Sequence, residues 1–222
     1  MTWFGFAGVF ALFFVTHSVP VRPAIKSRIV DAIGPVGFSV SYSILSICML
    51  TLLIWSAGRA PFVELWPQVG WQRHVVHLGM LAVCLILAFS IARPNPFSFG
   101  GARNHAFDPT RPGIVRLTRH PILIAMSIWA ALHMLPNGNL AHVLLFGVLG
   151  AFALAGRTLI NRRKRRDIGP EAWDTLNATV AKSSCFHAPQ SWTGGVGRLV
   201  AGVLAFIFLL VLHPVVIGVS AL

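Results

Sequence analysis

Six long apolar stretches constrain this chain more than any other feature of it. They run approximately over 3–19, 34–57, 75–92, 115–135, 140–156 and 199–217. Once the fourth is counted from Pro121, none contains Asp, Glu, Lys or Arg. A helix that crosses a bilayer needs about 20 mostly apolar residues, with about 17–25 as the usual range. Backbone amides in hydrocarbon must find their partners within their own segment, so such stretches are helices. Over the whole chain, 55% of residues are hydrophobic and 11% charged, against about 25% charged in ordinary soluble domains. These figures exclude a water-soluble globule and predict an all-α, polytopic membrane bundle: one domain, 1–222, with the lipid bilayer as its solvent.

The charges lie in the connections, and their distribution assigns direction. Of the 18 Lys and Arg residues, three follow the first stretch (Arg22, Lys26, Arg28), five follow the third (Arg93 to Arg119) and eight follow the fifth (Arg157 to Arg198). Only Arg59 and Arg73 lie in the even-numbered connections. The positive-inside rule therefore places odd connections in the cytoplasm and both termini outside. The formal charge of +12 is accounted for by orientation, so nucleic acid is not an expected partner. The run Arg162-Arg163-Lys164-Arg165-Arg166 reads as a headgroup anchor, with recruitment of an acidic membrane partner protein as the sharper alternative. The first stretch lacks a basic leader and an Ala-x-Ala site, and is read as a retained helix.

With carboxylates and ammonium groups absent from the apolar stretches, histidine carries the polar chemistry at membrane depth. Ionisable groups there are costly and usually face the bundle interior. On this topology His17, His105, His120 and His187 lie near the cytoplasmic face, and His74, His77, His133, His142 and His213 near the outer face. Neutral imidazole is a good ligand for iron, zinc or copper, and haem held between helices needs two imidazoles at one depth. Two pairings meet that requirement: His77 with His133, and His17 with His120. His74 and His77, three residues apart, share a helix face beside Trp66 and Trp71 and read as part of an interfacial belt. The three cysteines, Cys48, Cys84 and Cys185, make neither a disulfide framework nor a C-x-x-C pair. There is no His-Glu-x-x-His, phosphate loop or hydrolytic triad, and no residue is assigned a catalytic role.

The densest block is Arg116-x-x-Arg119-His120-Pro121 followed by Trp129-x-x-x-His133-x-x-x-Asn137-Gly138. Proline suits the first turn of a helix, so His120 is expected at its N-cap. Arg116 and Arg119 beside that helix start make a candidate anion-binding corner for a phosphate, carboxylate or lipid headgroup.

Together with Thr16-His17-Ser18, Tyr42-Ser43, His77 and Gly169-Pro170-Glu171-Ala172-Trp173, this block resembles the NnrU family of bacterial membrane proteins and its homologue, plant zeta-carotene isomerase. The resemblance covers most of the chain. It implies an accessory role in nitrite and nitric oxide metabolism, with haem b as cofactor and a small gaseous ligand or an electron at the iron. By position, the isomerase's haem-ligand histidines fall on His17 and His133, and its alternative cysteine ligand falls on Ala130. An isomerase reading would add a hydrophobic polyene as substrate. The Arg-His-Pro corner is also similar to that of isoprenylcysteine methyltransferases, although Arg165-Arg166-Asp167 stands where those enzymes carry a glutamate pair. A non-enzymatic assembly factor is the remaining alternative.

Overall fold

The computed structural model describes residues 1–184 and 191–220. Cys185 and His187 lie outside the described residues. Seven α-helices follow one another: α1 (Trp3–Ser18), α2 (Pro23–Ala57), α3 (Gly70–Ser90), α4 (Pro121–Met134), α5 (Leu140–Ile168), α6 (Pro170–Lys182) and α7 (Trp192–Ile217). Two short 3₁₀ turns, Asn104–Ala106 and Gly113–Arg116, lie between α3 and α4. No β-strand occurs among the described residues, only an isolated bridge between Glu64 and Asn139.

Four helices, α2, α3, α5 and α7, have both the length and the hydropathy to cross a membrane. α1 and α4 are apolar but have only 16 and 14 residues, below the usual crossing length. The outward-facing side chains match a lipid solvent: Phe4 is 91% exposed, Val215 79% and Leu78 73%. Burying a side chain of this size is worth about 1.5–3 kcal/mol in water, so an aqueous chain would not leave a whole surface of them open.

Several boundaries differ from the sequence expectation. The fourth apolar stretch does not begin near residue 115. Gly113–Arg116 is a separate 3₁₀ turn, and His120 (φ −121°, ψ 61°) leaves the helical region before Pro121 opens α4. Proline disfavours helical backbone at the residue before it, which sets that boundary. The fifth stretch does not stop at 156, because α5 continues as helix through the basic run to Ile168. α2 begins at Pro23 and kinks at Gly34 (φ 76°, ψ 166°), where the apolar stretch begins.

The helices fall into two compact units, residues 1–67 with 138–145, and residues 68–137 with 146–222. In the first, α1 packs on α2 around buried Phe6, Phe13, Phe38, Met49 and Leu53. The Tyr42 hydroxyl donates to the His17 carbonyl at 3.0 Å. The Gly138 carbonyl accepts from the amides of Leu65 and Trp66, and a Cβ on Gly138 would lie 2.0 Å from the Trp66 carbonyl oxygen. Only glycine permits that approach.

In the second unit α3 is the shared surface, with α4 and α7 each packed on it. Small residues set the approach. A Cβ on Gly79 would stand 2.5 Å from Leu132 of α4, and one on Gly202 of α7 would stand 2.8 Å from Leu85. Arg198 donates to the carbonyls of Ala88 and Ile91 at the end of α3, where orphan carbonyls and the helix dipole favour a cation. A satellite core of Phe97, Val115, Trp173 and Val180, with Phe107, Ile168 and Leu176 against it, holds the loops and α6 beneath the start of α4.

Candidate functional site

Two places in the second unit concentrate polar chemistry, one at each end of α4. At its start, His120 is 2% exposed. Its Nδ1 lies 3.0 Å from Ser98 Oγ and its Nε2 2.9 Å from Asn161 Oδ1. An amide oxygen only accepts, so Nε2 carries the proton and Nδ1 accepts from the Ser98 hydroxyl. Both ring nitrogens are thus committed, and a metal at either would break a buried hydrogen bond. Burial lowers the imidazole pKa and the Arg119 and Arg157 charges push the same way, against the Asn161 hydrogen bond. The net effect favours the neutral ring.

The loop after α3 supplies Ser98. Asn95, 4% exposed, fixes that loop three ways. Its amide nitrogen donates to the Arg119 carbonyl (3.0 Å), its side-chain oxygen accepts from the Phe97 amide (3.1 Å), and its own backbone amide donates to Asn104 Oδ1 (2.9 Å).

Beside His120 opens a cavity of about 230 Å³, whose polar wall includes Arg116, Arg119, His120, Arg157, Asn161 and Asn177 and whose apolar wall includes Val115 and Val180. Arg116 Nε donates to the Ser183 carbonyl at 2.9 Å. Arg119 Nη1 donates to Asn177 Oδ1 at 2.8 Å, and its guanidinium stands 5.8 Å from the Trp173 ring centroid. Arg157 comes from α5, one turn before Asn161. Among the described residues the salt bridges are Arg163–Asp167 and Arg165–Asp174, both exposed. None of the three cavity arginines is paired with a carboxylate. The expected corner of Arg116 and Arg119 is therefore a walled cavity with a third cation.

At the other end of α4, His133 Nδ1 lies 2.8 Å from the Trp129 carbonyl. A carbonyl only accepts, so Nδ1 is protonated and Nε2 keeps its lone pair. The Trp129 and Phe146 rings flank it at centroid distances of 4.9 and 5.2 Å. Asn137 donates back to the His133 carbonyl at 2.7 Å. His213 lies near the end of α7, and its Nδ1 stands 2.7 Å from the Val219 carbonyl, which gives the same tautomer. Contact between Gly79 and Leu132 puts His77, two residues before the one, level with His133, one residue after the other.

The remaining expectations separate. His17 lies in the first unit, stacked on Phe13 at 4.4 Å and tilted against Tyr42 at 5.6 Å, whereas His77, His120 and His133 lie in the second. His142 also belongs to the first unit and takes Asn139 Oδ1 at 2.8 Å. Among the described residues no group of three or more His, Cys, Asp or Glu side chains is placed to hold a metal ion. A bis-imidazole group, which needs two, is the arrangement still open to this donor set.

Sequence reasoning did not single out Asn95, Ser98, Arg157, Asn161, Asn177 or His213 as site residues. Arg157 and Asn161, spaced i,i+4 on one helix face, carried a local signal. Ser98 and Asn177 reach the corner only through the fold.

The profile of the NnrU protein family matches residues 5–221, and the chain belongs to that family. No curated protein and no solved structure matches it significantly.

Proposed function

We propose that this NnrU-family protein crosses a bacterial inner membrane six times, binds haem b through His133 and serves nitrite or nitric oxide metabolism. The observation that carries the reading is the matched hydrogen-bonding state of two imidazoles, one near the end of α4 and one near the end of α7. His133 and His213 each give their Nδ1 proton to a backbone carbonyl and so keep Nε2 for a metal. Fixing one ring nitrogen in this way sets the tautomer and orientation of a ligating histidine and strengthens it as a donor.

Haem bound there supplies an iron that exchanges an electron or takes a small gaseous ligand. The chain's own groups orient and shield. The Trp129 carbonyl aims His133, the Trp129 and Phe146 rings exclude water, and Asn137 ties down the last turn of α4. His213, His77 and His17 are the candidates for a second ligand, His17 being the one the family resemblance implies.

The test is pyridine haemochrome quantification of protein expressed with ample porphyrin precursor. Wild type is expected to show a Soret band, and His133→Ala to lose most of its haem. Separate His213→Ala, His77→Ala and His17→Ala variants identify the second ligand by which of them also loses it. Full haem stoichiometry in His133→Ala, or colourless wild-type protein, would overturn the proposal.

A further inference from the structure

The cavity at the start of α4 is independent of the haem reading, and its wall is unusual in sign. Arg116, Arg119 and, from α5, Arg157 line it together with Asn161 and Asn177, and among the described residues no carboxylate pairs with any of the three arginines. Each asparagine oxygen is already accepting, from His120 and Arg119 respectively. Both amides also carry N–H donors that can turn to an anion. The neutral His120 adds no acceptor either, because its Nδ1 is taken by Ser98.

Three like charges around one space repel each other unless something negative enters. Arginine's fork of donors fits the oxygens of a phosphate or carboxylate. The volume narrows the class. About 230 Å³ is several times a water's share of about 30 Å³ but below the roughly 300–1,000 Å³ of pockets that enclose whole drug-sized ligands. The space has room for an anionic group against its arginine wall.

We infer that this cavity is a phosphate-group site, with Arg157 and Arg119 as its principal donors and Asn161 and Asn177 amides completing the cradle. The group belongs either to a small soluble phosphate or to a phospholipid headgroup entering from the adjacent interface, and two arms separate these sources. In neutral detergent, titration calorimetry with inorganic phosphate measures the soluble source. In nanodiscs, native mass spectrometry with phosphatidylglycerol against phosphatidylcholine measures retained lipid.

Arg157→Gln is the leading variant, because that side chain is exposed and holds no element in place. Arg119→Gln is the second, with helix content by circular dichroism as the folding control, and Arg157→Lys should recover part of the binding through charge alone. Phosphate affinity at least fivefold weaker in Arg157→Gln supports a soluble phosphate. Retention of phosphatidylglycerol that drops at least fivefold in the same variant, without phosphate binding, supports the headgroup. Equal binding by wild type and folded Arg157→Gln and Arg119→Gln in both arms, or no binding in either, overturns the site.

Discussion

Replacing Ser98 with Ala removes the hydroxyl that His120 Nδ1 accepts from and leaves a buried ring nitrogen without a partner. An orphaned buried polar atom costs about 1–3 kcal/mol, so Ser98→Ala should lower the thermal midpoint of the detergent-solubilised protein. The sign of the pH dependence follows from burial. His120 has its folded-state pKa depressed, so below about pH 6.5 the unfolded chain binds the proton more readily. Its stabilising contribution is complete above that pH and is lost as the pH falls toward the depressed folded-state value. The drop in thermal midpoint from about pH 7.5 to about pH 5 should be smaller in His120→Gln than in wild type; an unchanged drop would assign the acid sensitivity elsewhere. The sequence placed His120 at a helix start through Pro121, but its two ring partners lie 22 and 41 residues away. Nothing local in the chain encodes them.

Among the elements, α2 shows what apolar patterning can and cannot locate. The charge-free stretch beginning at Gly34 is where the long helix bends, at a backbone conformation (φ 76°, ψ 166°) that is essentially reserved for glycine. No neighbour lies within 4 Å of a Cβ there, so the penalty of a side chain is backbone strain alone. Gly34→Ala should cost about 1–3 kcal/mol, read as a lowered midpoint with helix content retained. Gly202 tests the opposite case, an ordinary helical backbone with no room. Its Cβ would meet Leu85 and Ala88, so Gly202→Val should loosen α7 from α3 and destabilise by about 1–3 kcal/mol through overpacking. Hydropathy located both helices. It could not anticipate that α5 runs on past Gly156, because a basic run looks the same from composition whether it is coil or helix.

At the scale of the whole molecule, length and charge give different span counts. α4 is about 21 Å long at 1.5 Å per residue and α1 about 24 Å, against a hydrocarbon core of about 30 Å. Length alone would count only α2, α3, α5 and α7. Four crossings would put the connection after α3, with five Lys and Arg residues, on the opposite face from the connection after α5, with eight. Six crossings put both on one face with the three after α1, leaving two basic residues opposite. The positive-inside bias acts at every connection, whereas a short helix is accommodated by local thinning or snorkelling flanks at a fraction of a kcal/mol per Å. Six crossings are therefore the expected state. Three single-cysteine proteins decide it, built in a background with Cys48, Cys84 and Cys185 changed to Ser: Arg103→Cys, Asn139→Cys and Arg166→Cys, each probed with an impermeant maleimide on oriented vesicles. Six crossings predict that Arg103→Cys and Arg166→Cys label from one side and Asn139→Cys from the other. With four, Asn139→Cys would label together with Arg103→Cys, and Arg166→Cys from the opposite side, which would make α1 and α4 interfacial helices and overturn the arginine cavity, whose walls from the α4 start and the α5 end would then lie on opposite faces.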